Sequence, residues 1–190
     1  MKILAVNGSP RKEGNTAHML STVLDICTEA GFNTEVYHVG GREVRGCRAC
    51  GSCWSRKGKC AIDDWMNELY LKMKEADAIL LGSPTYFSDL TPEMKAVIDR
   101  CGFVGRGDAM SFSRKVGAAV SAVRRAGSIH TLDSMQHFFL INDMIVPGST
   151  YWNMSLSREL GDYEKDEEGL KTMKRLGENI VWLLKQLKNQ

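Results

Sequence analysis

Three short apolar segments constrain the fold of this chain more than any other feature of its sequence. They are residues 3–6, 78–81 and 116–120, and each is built almost entirely of apolar or small residues and is followed by asparagine, glycine or serine. Strands of a parallel sheet have this composition because helices cover both faces of the sheet. Residues 33–39 and 144–146 fit the pattern more weakly, so we expect five parallel strands.

The segments between these strands have the spacing of amphipathic helices. Apolar side chains recur three or four positions apart on three of them, and a last helix is expected over residues 167–187. Asp64 and Thr91 precede two of the helices as N-cap residues. Strands that alternate with helices predict an α/β fold, namely a flavodoxin-like doubly wound five-stranded parallel sheet with helices on both faces.

The length of the chain predicts a single domain over residues 1–190, with a cysteine-rich insert at 46–61 and a C-terminal arm and helix at 149–190. A net charge of +2 is too small for nucleic-acid binding, which needs many cations on one face. The N-terminal apolar run is too short for a signal peptide or a membrane span. We therefore expect a cytoplasmic protein that binds neither nucleic acid nor a membrane.

The loop at residues 9–16 connects the first strand to a helix, so the free N–H groups of that helix point into the crevice at the strand ends. Ser9, Asn15 and Thr16 offer hydroxyl and amide donors, and Arg11 offers a charge-assisted pair of hydrogen bonds. The dinucleotide fingerprint is absent, and Gly14 is followed by Asn15 where a P-loop has lysine. This loop is predicted to bind a phosphate; the alternative is a surface turn that only caps the helix.

The letters Gly-Ser-Pro-Arg at residues 8–11 and Gly-Asn-Thr at 14–16 resemble the phosphate loop of NADPH-dependent FMN reductases, a family of the flavodoxin superfamily. The resemblance continues through residues 81–87 and 95–100 and implies that the bound phosphate belongs to FMN. It also implies ring contacts from two later loops, made by Pro84, Thr85, Tyr86 and Phe87 along the isoalloxazine ring and by Val123, Arg124 and Gly127 on its opposite side. The last loop matches less closely, since Arg124 and Arg125 replace a glycine-rich stretch and are either ligand contacts or solvated.

Four cysteines lie close together in the sequence, at Cys47, Cys50, Cys53 and Cys60. Three thiolates spaced by two residues, with a fourth nearby, suit the corners of a 4Fe-4S cluster. The spacing resembles the cysteine motif of the iron-sulfur flavoproteins, a branch of the same superfamily. It departs from the run of bacterial ferredoxins, because Ala61 rather than proline follows the last cysteine. Structural zinc and free thiols remain alternatives, and the two other cysteines are expected in the core.

These features predict an electron-transfer oxidoreductase in which FMN carries one or two electrons and the cluster carries one. No side chain is needed as an acid, base or nucleophile, so no catalytic residue is predicted. The expected donor is ferredoxin, docking on the basic residues around the cysteines, or NAD(P)H; the acceptors are quinones, nitroaromatics, oxygen or peroxide. The family resemblance also implies a homodimer or homotetramer. The alternatives are a cluster-free NAD(P)H-dependent FMN or quinone reductase and a flavin-free scaffold that holds structural zinc.

Overall fold

The computed structural model describes residues 1–188 and contains, within them, one five-stranded sheet whose strands are all parallel. Along the sheet the strands lie in the order β2-β1-β3-β4-β5. They are β1 (Lys2–Asn7), β2 (Asn33–His38), β3 (Ala78–Pro84), β4 (Val116–Val123) and β5 (Met154–Leu156). The order reverses between β1 and β3, and the predicted doubly wound parallel sheet is confirmed.

Helices cover both faces of the sheet. They are α1 (Asn15–Glu29), α2 (Ser52–Arg56), α3 (Trp65–Glu75), α4 (Pro92–Gly107), α5 (Ser128–Ile141) and α6 (Glu167–Lys188). Alternate residues of β1 point to opposite faces, so Ile3 packs in a core with α1 and α6 while Leu4 packs in a second core with α3, α4 and α5. The central strands are apolar throughout because both of their faces are buried.

The two N-caps expected from the sequence are present. The Asp64 carboxylate accepts a hydrogen bond from the backbone N–H of Met66 at the start of α3, at 3.2 Å. The Thr91 hydroxyl accepts one from the N–H of Met94 at the start of α4, at 3.4 Å. The last helix begins at Glu167, the residue expected from the sequence. These helix starts are determined locally, which is why the sequence located them.

The fifth strand was wrongly placed by the sequence pattern. Residues 144–146 contribute only an isolated bridge between Ile145 and Val116. The chain then leaves the sheet edge, where Pro147 has no N–H to donate, and returns eight residues after Val146 as Met154–Leu156, which pairs with the end of β4. The segment expected to be an irregular arm therefore supplies a strand and, further on, a 3₁₀ turn at Asp162–Lys165.

The sequence pattern also did not single out α5. Ile129, Leu140 and Ile141 are exposed on this helix, so its apolar residues do not form a single stripe that contrasts with a polar face.

Within residues 1–188, no helix combines the length and the apolar character needed to cross a bilayer.

Candidate flavin cleft and cysteine pocket

A cleft of about 170 Å³ opens at the carboxyl ends of the strands, where β1, β3, β4 and β5 each lead into a loop. Ligands of doubly wound sheets bind at this edge because the strand order reverses there and neighbouring loops diverge. The walls of the cleft are formed by Ser9, Arg11, Gly14, Asn15, Thr16, Pro84, Thr85, Tyr86, Ala122, Arg124, Ser157 and Arg158. The three loops that the sequence analysis selected thus meet in one place.

The loop predicted to bind phosphate, residues 9–16, is held by local hydrogen bonds. The N–H of Ser9 donates to Asn7 Oδ1 at 3.0 Å, and the Ser9 hydroxyl accepts from the N–H of Arg11 at 3.2 Å. No side chain caps the start of α1, and its first turn has no acidic residue. Uncapped N–H groups and the positive end of the helix dipole therefore face the cleft and suit an anion.

The Asn15 side chain has a role that the sequence did not indicate. Its Nδ2 donates to the carbonyl of Glu159 at 2.8 Å. Its Oδ1 accepts from the N–H of Gly161 at 3.1 Å and from that of Tyr163 at 3.3 Å. Because the side-chain amide is bonded to the segment after β5, only the backbone N–H of Asn15 is free to donate to an anion in the cleft.

The second loop of the cleft ends in a strained turn. Pro84, Thr85 and Tyr86 lie in the cleft wall, but the Thr85 hydroxyl is already bonded to Ser121 and accepts from Thr131, at 3.0 Å in each case. Phe87 is fully exposed and does not line the cleft. It follows Tyr86 at a φ of 49°, a left-handed conformation that is uncommon outside glycine and that clusters at ligand sites.

The third loop contributes one of its three predicted contacts to the cleft wall. Arg124 lines the cleft and is exposed, whereas Val123 is buried and Gly127 lies outside the cleft. Gly127 has a φ of 92°, and a Cβ there would lie 2.6 Å from the hydroxyl oxygen of Ser88. Its absent side chain therefore lets the second and third loops pack together.

Two residues of the cleft were missed from the sequence. Ser157 and Arg158 line it, and they directly follow β5. The N–H groups of Arg158 and Glu159 donate to Asp162 Oδ2 at 3.2 and 2.7 Å, which holds this loop in place. The signal that identifies these two residues is their position after a parallel strand, and it was lost when the fifth strand was placed at 144–146.

The four clustered cysteines line a second, smaller pocket between their own segment and α4. Cys47 and Cys50 are exposed, Cys53 is buried and Cys60 is partly buried, and all four are free thiols. Hydrogen bonds from Ser52 lower the pKa of Cys50, whereas burial raises that of Cys53. Among residues 1–188, no three histidine, cysteine or carboxylate side chains are arranged to hold a single metal ion.

The remaining two cysteines are core residues, as expected. Cys27 is fully buried on α1 and Cys101 is buried on α4. Burial raises the pKa of Cys27 to about 12, so it stays a thiol at neutral pH.

Residues 1–159 match the family model described as NADPH-dependent FMN reductase. The chain belongs to this family. An iron-sulfur flavoprotein of Methanocaldococcus jannaschii is 36% identical over 99% of this chain and 100% of that protein. One of Methanosarcina thermophila is 32% identical over 97% of this chain and 95% of that protein. The resemblance to the iron-sulfur flavoprotein branch of the FMN reductases is confirmed.

The fold has counterparts among solved structures. A WrbA-like flavodoxin of Agrobacterium tumefaciens superimposes with a TM-score of 0.66 over 97% of this chain and 98% of that chain, at 16% identity. At that identity the likeness concerns the fold. Membership of the FMN reductase family makes this chain a flavin-dependent oxidoreductase, and FMN is the flavin that the family uses.

In this member of the FMN reductase family, one wall of the cysteine pocket is a buried arginine. Arg100 projects from α4, and its Nη1 and Nη2 donate to the two oxygens of Asp64 at 2.7 Å each. The same nitrogens donate to the carbonyls of Arg45 at 3.2 Å and Ile62 at 3.3 Å. Burial acts to raise the pKa of Asp64, but the hydrogen bonds and charge of Arg100 outweigh it and hold that pKa below its usual value.

The basic residues around the cysteines are only partly available to a partner. The Arg42 guanidinium lies over the rings of Tyr37 and Trp65, at 4.9 and 5.3 Å from their centroids. Lys59 pairs with Asp63 at 3.4 Å. Arg48 is exposed in the cysteine segment itself. Fewer cations than the sequence suggests are therefore free to contact a partner, because the Arg42 guanidinium is already stacked on two aromatic rings.

Proposed function

We propose that this member of the FMN reductase family is an electron-transfer protein that binds FMN in the cleft and a 4Fe-4S cluster on Cys47, Cys50, Cys53 and Cys60. Electrons come from ferredoxin or from NAD(P)H and pass to small acceptors such as quinones, nitroaromatics, oxygen or peroxide. The observation that carries the proposal is that the four cysteines line one pocket next to a buried cation. The full-length relatives named iron-sulfur flavoproteins support it.

The cleft has the donors that an FMN phosphate needs. The uncapped start of α1 supplies N–H groups, the Ser9 and Thr16 side chains stand beside them, and Arg11 supplies a positive charge. Pro84 and Tyr86 line the next part of the cleft, where the flavin ring would lie. When bound, FMN supplies one- and two-electron chemistry, while the protein binds and orients it.

The cysteine pocket suits a cubane better than a single ion. The thiolates of a cubane bind four different irons, so they do not have to converge on one point. Four thiolates also bring negative charge, and Arg100 lies against them with its charge buried. Free thiols of this kind persist in a reducing compartment, in keeping with a cytoplasmic location.

We extend the proposal to assembly and domain organisation. Residues 1–190 would form one FMN-binding domain, with 46–61 as its cysteine-rich insert and 149–190 as its C-terminal arm and helix. The excursion before β5 exposes Tyr151 and Trp152 beside a cavity of about 400 Å³. Exposed aromatic pairs often anchor interfaces, so these two side chains are candidates for contact with a second subunit in a homodimer or homotetramer.

The test is a visible absorption spectrum with iron, sulfide and zinc analysis on protein purified without oxygen. Flavin bands with about four irons per chain support both cofactors. A variant with all four pocket cysteines changed to serine should keep its flavin and lose its iron, while Cys27→Ala is the control that should keep both. Zinc in place of iron would refute the cluster.

The family model favours a second candidate, a cluster-free NAD(P)H-dependent FMN or quinone reductase. It predicts flavin without iron, and oxidation of NAD(P)H at the same rate in the four-serine variant as in the wild type. The ferredoxin route predicts that the same variant no longer accepts electrons from reduced ferredoxin. High salt should slow that transfer if Arg48 and its neighbours attract the acidic donor.

A further inference from the structure

Arg100 is a buried cation with one hydrogen-bond donor left over. A guanidinium has five N–H groups, and four of them donate to Asp64, Arg45 and Ile62. The fifth, on Nε, has no hydrogen-bond partner, although the Arg100 side chain is fully buried. A buried donor without a partner is unfavourable, and in native proteins it calls for an explanation such as a redox role or an ion that completes the contact.

The free donor belongs to a side chain that lines the cysteine pocket. The sulfur of Cys60 is in a side chain that lines the same pocket. Cys60 is itself held at this place, because its N–H donates to Asn67 Oδ1 at 2.8 Å. The unpaired donor of Arg100 and a sulfur acceptor therefore belong to side chains that line the same pocket.

We propose that Arg100 is a positioning residue for the cluster, in which its Nε–H donates to the sulfur of Cys60 or to an adjacent cluster sulfide. The inference rests on the proposed function, since it needs the cluster. A hydrogen bond and a cation beside the sulfurs stabilise the added negative charge of the reduced cluster. Arg100 thereby raises the reduction potential of the cluster and makes it a better acceptor for an electron from a ferredoxin-like donor.

The sign of the change in the reduction potential of the cluster distinguishes this positioning role of Arg100 from a purely structural role. Asp64 pairs with Arg100 on two of its nitrogens but does not line the cysteine pocket. Removing the arginine charge should lower the potential of the cluster, whereas removing the aspartate charge should not lower it. Damage to the pocket alone would instead cost iron in both variants.

The first experiment measures iron and sulfide content and the midpoint potential of the cluster, by electron paramagnetic resonance during a redox titration. Arg100→Gln should shift the one-electron equilibrium toward the oxidised cluster by about tenfold, which is about 59 mV. Arg100→Lys keeps a charge but loses Nε and should shift it in the same direction by less. Asp64→Asn should not lower the midpoint, and Arg48→Gln is the control for an exposed arginine in the same segment.

A second experiment detects the contact directly in wild-type protein, and variants are used only to assign the signal. Arginine labelled with ¹⁵N in the guanidinium group alone is incorporated, and the reduced cluster is examined for nitrogen hyperfine coupling. Coupling that persists in Arg48→Lys and disappears in Arg100→Lys supports the proposal.

The outcomes are distinct for the inference and for the proposed function. No guanidinium coupling in an iron-loaded protein, or an unchanged midpoint in iron-loaded Arg100→Gln, would overturn the role of Arg100 and leave the cluster in place. Wild-type protein purified without oxygen that contains flavin but no iron would overturn the proposed cluster itself.

Discussion

Substitution of Asn15 tests how the phosphate loop is joined to the rest of the cleft. Asn15 is the first residue of α1, and its side chain makes three hydrogen bonds to backbone groups of residues 159–163. Asn15→Ala removes all three and leaves the carbonyl of Glu159 and the N–H groups of Gly161 and Tyr163 without these partners. The loop that carries Arg158 into the cleft then loses its main attachment to α1.

The expected magnitude follows from the number of bonds. A hydrogen bond contributes a net of about 1 kcal/mol, so three contribute roughly 3 kcal/mol to the free energy of unfolding. For a chain of this size, that corresponds to a fall in Tm of roughly 6–12 °C. Asn15→Asp keeps the acceptor oxygen but replaces the donor with a second acceptor that faces the Glu159 carbonyl, so it should recover only part of the lost stability. Its added carboxylate at the start of α1 should nevertheless weaken FMN binding more than Asn15→Ala does.

The assay is urea unfolding of the flavin-free protein, with amide hydrogen exchange at Gly161 and Tyr163. Both amides should exchange faster in Asn15→Ala. Asn33→Ala is the matched control, because Asn33 is exposed at the start of β2 and its loss should change stability by less than about 0.5 kcal/mol. If Asn15→Ala unfolds at the same urea concentration as this control, the attachment proposed here is wrong.

Three further predictions concern the cleft and its supports. Gly127→Ala places a side chain at a φ of 92° and against a neighbouring loop, so it should lower stability by more than about 1 kcal/mol in urea unfolding; Gly148→Ala, with open space around it, should not. Arg11→Gln should weaken FMN binding about tenfold in a fluorescence titration; an equal loss for riboflavin, which has no phosphate, would contradict a phosphate contact. A hydrogen bond from Lys74 holds the pKa of Asp108 below its ordinary value. The ionised Asp108 therefore stabilises the folded protein fully above about pH 4, and this stabilisation is lost as the pH falls through the lowered pKa. Asp108→Asn should accordingly flatten the fall in stability with acid, and an unchanged slope would count against this pairing.

Local patterns were sufficient for the elements at the centre of the fold. β1, β3 and β4 are continuous apolar runs because helices cover both of their faces, and this composition is visible in a single segment without knowledge of its neighbours. The caps at Asp64 and Thr91 are equally local, since each bonds to an amide two or three residues ahead. The cysteine spacing and the loop after β1 are likewise short-range features.

Such local patterns did not identify β5, the strand at the edge of the sheet. β5 has three residues, of which only Ser155 is buried. It pairs with β4 after residues 147–153, which have no periodic apolar pattern that would predict a strand. Placing this strand at residues 144–146 hid Ser157 and Arg158, because their place in the cleft depends on their following a parallel strand. The position of an edge strand is set by the partner it pairs with, so it requires the tertiary structure.

The sequence by itself determined the fold class, three of the four loops at the cleft and the four cysteines that meet at one pocket, since each depends on residues close together in the chain. Only the tertiary structure decided what the side chains of Asn15 and Arg100 contact. The partners of Asn15 lie more than 140 positions away, and the Asp64 partner of Arg100 lies 36 positions away on another helix start. A polar side chain in an apolar helix pattern shows that a partner is needed, but which group supplies it depends on how distant segments pack.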